Sequence, residues 1–227
     1  MASVIFGGGV SEIRGSIAGS VFGRNANGAT IRNRTTPVNA RTAAQVAVRN
    51  NLAGVAASWR DLTDAERDGW IAAAPSFPYT NRLGQPSQYT GQQLYNTLNM
   101  GLVSIGTAVI TSAPTPESTF GVIGTTVMDN SDSEVEAQVS VPPGALWTVQ
   151  AFSSGPVSPG VMRPNSVTFR LVKSFPGDDL TNNLFTEYTA LFGPLVPGQK
   201  AFFKYEAVSQ LSGQRIGIGT HSAVVVV

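Results

Sequence analysis

The last half of the chain alternates apolar and polar residues in one short run after another, and this constrains the fold more than any other feature. Val135, Ala137, Val139 and Val141 take every second place, as do Trp147, Val149 and Ala151, and again Val167, Phe169 and Leu171. A period of two lines one face of a strand with apolar side chains. Pro-Gly and Ser-Gly turns separate the runs. Seven strands are expected, over 119–127, 134–141, 146–153, 166–173, 184–191, 200–209 and 215–226. The fold class expected is α+β, mainly β, with the C-terminal strands in two sheets packed face to face as an immunoglobulin-like or fibronectin-type β-sandwich. The chain has no cysteine, so the Cys-Trp-Cys pattern of antibody domains is absent, and disulfides and cysteine-ligated metals are excluded.

Ahead of the Ser112-Ala-Pro-Thr-Pro116 boundary the period changes to that of helices. Thr42 with Gln45 fits a capping box, and Val48, Leu52, Val55 and Trp59 share a face of the alanine-rich segment that follows. Thr63 with Glu66 and Thr90 with Gln93 repeat the capping signal. Trp70, Ile71 and Ala74 form the apolar face of the second helix, which Pro75 ends. Leu94, Leu98, Leu102 and Ile105 form the stripe of the third, with Tyr95 beside it. Residues 75–90 read as a loop that Tyr79 and Tyr89 pin down. Three short helices are expected to share one small core with the tryptophans inside.

The N-terminus is of a third kind. Residues 1–19 are rich in glycine and read as a flexible lead-in. The Asn27-Gly28 pair, flanked by Val21, Phe22, Thr30 and Ile31, predicts a hairpin with strands near 20–24 and 29–34. A lone hairpin is marginal and needs a third strand or a partner. The domains expected are therefore 1–34, a basic assembly arm with a β-hairpin; 35–113, a helical segment; and 114–227, the sandwich.

Charge is scarce and segregated. Charged residues make up 13% of the chain, against roughly 25% in ordinary domains, which suits a surface that lies against other subunits. Residues 1–60 carry seven arginines against Glu12, a net +6, whereas 61–113 carry −2 and 114–227 carry −3. A basic arm on a mildly acidic body favours head-to-tail contact. Arg14, Val21, Phe22, Arg24, Ile31, Arg32 and Arg34 are the expected interface residues. Phe22 is the only aromatic near these arginines, so nucleic acid is the less favoured partner.

The chemistry of an enzyme is not legible. His221 is the only histidine. No nucleophile elbow, phosphate loop, H-E-x-x-H pair or dinucleotide fingerprint occurs. Asp129, Asp132, Glu134 and Glu136 cluster but lack the spacing of a calcium loop, and Asp178-Asp179 reads as a turn. No catalytic residue, cofactor or metal is expected. The start lacks the basic and continuous apolar regions of a signal peptide, and no apolar run approaches the length of a membrane span.

The order G-S-V-F-G-R (19–24), G-A-T-I-R-N-R (28–34), T-P-V-N-A-R-T-A-A-Q (36–45), W-R-D-L-T-D-A-E-R-D-G-W (59–70) and G-Q-P-S-Q-Y-T-G-Q-Q-L-Y (84–95) resembles a loose group of uncharacterised bacterial and phage-encoded proteins. They carry an N-terminal Gly/Arg hairpin, a short helical segment and a C-terminal immunoglobulin-like domain. The resemblance covers about residues 15–100 and implies a virion or other particle component. The function expected is that of a non-enzymatic structural or assembly protein of a bacteriophage virion (capsid-associated, decoration, neck or tail), either homo-oligomeric or bound to other virion subunits. The alternatives are a bacterial cell-surface adhesion or carbohydrate-binding module and a nucleic-acid packaging protein.

Overall fold

The computed structural model describes residues 2–3, 7–10, 12–25, 28–36, 38–81, 84–117, 122–129, 133–162 and 168–226. The chain divides into two compact units, Met1–Val46 and Ala47–Val227.

The first unit is a four-stranded antiparallel sheet of β1 (Ala2–Ser3), β2 (Gly15–Ile17), β3 (Ser20–Asn25) and β4 (Gly28–Asn33), in the order β1-β4-β3-β2. The expected hairpin is β3–β4. Asn25 faces Gly28, and residues 26–27, including the Asn27 of the turn signal, lie outside the described residues. The third strand that the hairpin needs comes from the glycine-rich lead-in. β2 turns into β3 through Ala18-Gly19, where Ala18 takes φ +49°. Few non-glycine residues adopt that conformation, but it is what a tight hairpin turn requires.

The second unit begins with helices. α1 (Ala43–Asp61) starts in the first unit and continues into the second, followed by α2 (Asp64–Ala73) and α3 (Gly91–Ser104). Gln45 donates its backbone N–H to Thr42 Oγ1 at 3.3 Å. At Thr63 and at Thr90 both halves of the capping box are present. Each satisfies two amides that would otherwise be orphaned. The helices enclose Val55, Leu62, Trp70, Ala74, Phe77, Leu94, Tyr95 and Leu98. Tyr95 stacks against both tryptophans, 5.3 Å from Trp59 and 5.1 Å edge-on to Trp70. Trp70 is fully buried and donates Nε1–H to Thr111 O at 2.6 Å, while Trp59 is half-buried. Ile71, expected on the apolar face, is exposed. Gly91 of α3 lies against its backbone: a Cβ on Gly91 would stand 2.9 Å from Ile71 N.

The β body is a seven-stranded sheet of β7 (Val122–Asp129), β8 (Glu134–Val141), β9 (Trp147–Val157), β10 (Arg170–Pro176), β11 (Thr181–Asn183), β12 (Lys200–Ser209) and β13 (Arg215–Val226); β5 (Tyr79–Thr80) and β6 (Pro86–Ser87) form a separate small ladder. The strand order is β10-β9-β12-β13-β7-β8-β11. All pairs are antiparallel except β13–β7, where Val225 faces Met128. The chain is thus α+β and mainly β. The alternating Val135, Ala137, Val139, Trp147, Val149 and Ala151 all point into one core with Phe203, Tyr205, Leu184 and Tyr188.

Two expected strands differ. Residues 184–191 are not a strand: Phe185–Phe192 is a helix, α4. Asn183 Oδ1 accepts the Phe185 amide at 2.8 Å. Leu184, Tyr188 and Phe192 recur every four residues, with Leu184 and Tyr188 buried, so the helical period outweighs the β propensity of the aromatics. The strand expected at 166–173 begins at Arg170, with residues 166–167 outside the described set. A bulge between Leu171 and Lys173 shifts its register, which leaves Leu171 exposed and buries Phe175.

Helical and β layers of this second unit meet at two glycines. A Cβ on Gly101 would lie 2.1 Å from Gly213 O, and one on Gly213 would lie 2.0 Å from Leu98 O. Buried Asn99 donates to Tyr95 O and Ile110 O and accepts from Ile110 N, tying α3 to the segment leading to the β body.

Candidate assembly surface

Strand pairing decides what the N-terminal sheet presents. Phe22 faces Ile31, Arg24 faces Ala29 and Ser20 faces Asn33. Residues directly opposite share a face, and alternate residues along a strand return to it. One face therefore carries Ile17, Phe22, Arg24, Ala29 and Ile31. The other carries Ser16, Val21, Thr30 and Arg32, where Thr30 Oγ1 donates to Gly23 O at 3.2 Å. The expected interface set is divided between the two faces, because Val21 and Phe22, like Thr30 and Ile31, are chain neighbours.

The arginines are not equivalent. Arg14 Nε donates to Glu12 Oε1 at 2.7 Å, and Arg24 Nη1 stands 3.8 Å from the same oxygen. The Arg14 hydrogen bond, aided by both positive charges, holds the Glu12 carboxyl below the usual carboxylate range. Arg32 and Arg34 are exposed and form no ion pair with another described residue; Arg34 contributes its backbone N–H to Gly19 O at 2.9 Å.

From Gly7 to Gly54 no described residue is buried. Phe22 and Ile31 are half-buried, and Val10 and Ile17 are about half exposed. The same holds for the first three turns of α1, where Val48 and Leu52 are exposed although they continue the face that carries buried Val55. They line an open apolar cleft of about 530 Å³ with Met100 and Val103 of α3.

Elsewhere the titratable groups do not converge. Asp129 and Glu134 face each other at the end of β7–β8, Glu136 lies further along β8, and Asp132 lies outside the described residues. Among the described residues no group of three or more histidine or acidic side chains is arranged to hold a metal ion. His221 on β13 faces Phe203 and lies near the Tyr205 ring. Burial pushes the Tyr205 phenol well above its ordinary value, and that of Tyr188 up to about 12, so both stay protonated at neutral pH. Among the described residues no helix is long and apolar enough to cross a membrane. No family model matches the chain, and no curated protein matches it.

Proposed function

We propose that this chain is a non-enzymatic structural protein of a virion, capsid-associated or a decoration, neck or tail part, which assembles through its N-terminal unit. One observation carries the reading: three strands, β2 to β4, and the first three turns of α1 are formed by a segment, Gly7–Gly54, in which no described residue is buried. Ordering backbone costs about 1–2 kcal/mol per residue. A sheet repays that cost by burying one face against a second layer. The face bearing Ile17, Phe22 and Ile31 is the part suited to such a layer, and a neighbouring subunit supplies it. The net +6 of residues 1–60 against the net −5 of the remainder suits another copy of this chain as that neighbour.

We read the β body as an immunoglobulin-like sandwich. Strand order supports this: β7-β8-β11 would form one sheet and β10-β9-β12-β13 the other, with the first and last strands parallel where the two sheets join. Such bodies suit particle components, since they present loops at both ends of a rigid core.

Deletion of residues 1–34, followed by light scattering and a thermal melt, tests the assembly reading. The expected result is a body that still melts cooperatively while assembly is lost or strongly weakened. Unchanged assembly would refute it.

A further inference from the structure

A second cleft, of about 380 Å³, lies within the Ala47–Val227 unit. Its apolar floor includes Leu94 and Leu98 of α3. Tyr79 and Tyr89 stand along it as a stacked pair, ring centroids 4.3 Å apart and planes 25° from parallel. Gln214 and Arg215, after the β12–β13 turn, line it too. The walls are held in place beforehand. β5–β6 pairs Tyr79 with Ser87, and Ser87 Oγ donates to the Tyr79 hydroxyl at 3.1 Å. Gln214 exchanges two 2.9 Å hydrogen bonds with the Glu117 backbone. Arg215 Nη2 donates to Ser104 Oγ at 2.6 Å, with Glu206 3.5 Å from Nη1. Fixed walls lower the ordering cost of binding.

Three hydroxyls lining this cleft keep hydrogen-bonding capacity that a ligand could use in place of solvent. Tyr89 hydroxyl and Ser76 hydroxyl bond to no other described residue. Thr97 Oγ1 gives its proton to Gln93 O at 2.8 Å and keeps its lone pairs. Three hydroxyls, one guanidinium and a pair of aromatic faces call for a ligand with an apolar C–H face and an edge of both donors and acceptors. A proline ring would use the aromatic faces but leave the hydroxyls without partners, a loss for any polar group it desolvates. A phosphate would find a single guanidinium, already engaged. A pyranose ring uses both: its C–H face meets the electron-rich tyrosine face, and its hydroxyls reach Tyr89, Thr97 and Arg215. We propose that this cleft binds one pyranose ring of a glycan chain, a binding site separate from the assembly surface.

The test is saturation-transfer NMR on the full chain with cellohexaose, xylohexaose, chitohexaose, maltohexaose and trigalacturonic acid, followed by titration of whichever binds. Tyr79→Ala is expected to weaken binding at least tenfold. Tyr89→Phe, which keeps the packing and removes only the hydroxyl, is expected to weaken it about two- to tenfold. Melting curves for both variants establish that they are folded. Binding of trigalacturonic acid alone would support the site. Two results would overturn the proposal: no transfer to any of the five sugars, or binding that neither variant changes.

Discussion

Phe22 on β3 and Phe203 on β12 both stand in antiparallel ladders, Phe22 opposite Ile31 and Phe203 opposite His221. Phe203 is fully buried, with the Tyr188 ring of α4 6.0 Å away and Tyr205 beside it. Phe22 is only half-buried. Strand chemistry does not separate them. The β body packs its apolar side chains, those of β8 and α4 included, into one core, whereas among the described residues of the N-terminal unit from Gly7 to Val46 none is buried. Hydrogen-bonded pairing makes a sheet, but the apolar area removed from water stabilises it, at about 25 cal/mol per Å². The β body has a finished core; among the described residues the N-terminal sheet has none, and that is the gap which the proposed assembly contact would fill.

The widest test of this contrast sets Phe203→Ala against Phe22→Ala. Phe203→Ala should destabilise the chain by about 3–5 kcal/mol in a denaturant titration. Phe22→Ala should move the unfolding of the body by less than about 0.5 kcal/mol yet weaken assembly in light scattering. Equal losses of stability would erase the distinction.

Gly213→Ala probes whether the helical layer belongs to the finished core. Gly213 takes φ +73°, and its Cβ would meet the Leu98 carbonyl at 2.0 Å. Backbone strain and overpacking together are expected to cost about 2–4 kcal/mol. A melt within 1 °C of the parent would show that α3 is free to move off the β12–β13 turn.

A smaller effect is expected at the α2 cap. Thr63→Ala removes the side-chain acceptor for Glu66 N and should cost about 1 kcal/mol. The Thr63 hydroxyl and amide, with the Thr111 side chain, hold the Glu66 carboxyl below its ordinary value of 4.5. A depressed folded-state pKa means stability that is complete above the ordinary value and lost as pH falls through the lower, folded one. Glu66→Gln should flatten that acid limb of the melting curve; an unaltered acid limb would place the dependence elsewhere.

The smallest effect is expected at Ala18, whose φ of +49° strains an alanine. Ala18→Gly relieves the strain at the turn but loosens the unfolded chain, so the net gain is about 0.5 kcal/mol. It should appear as slower amide exchange in β2 and β3 with no change in the body. Faster exchange would show that the turn is not the weak point of the sheet.

Much of this protein is written in short-range patterns. Threonine with glutamate or glutamine three residues later marked the starts of α2 and α3, because a capping box is complete within four residues. The period of two in 134–141 and 147–151 marked β8 and β9 and the residues they bury, since side-chain direction in a strand follows from the backbone alone. The β3–β4 hairpin was legible from the Asn27-Gly28 pair between its strands. At 184–192 the pattern was present but misread: aromatics suggested a strand, while Leu184, Tyr188 and Phe192 kept a helical spacing. Tyr79 and Tyr89 were legible as pins for a loop, but their stacking was not, because nine residues lie between them in the chain.

What the sequence alone determined was the kind of α1 to α3, of the β3–β4 hairpin and of β8, β9, β12 and β13, together with the uneven charge, all set by neighbours within a turn or a ladder rung. Tertiary structure alone decided which apolar faces found a cover. Val48, Leu52 and Val55 continue one stripe, yet only Val55 is buried. Nothing in their spacing separates them, because burial depends on whether a distant segment, here α3 with Tyr95, lies close enough to exclude water. The parallel contact of β13 with β7 and the meeting of Gly101 with Gly213 join residues about a hundred positions apart. Such contacts are specified by the packing of whole layers, and no local pattern encodes them.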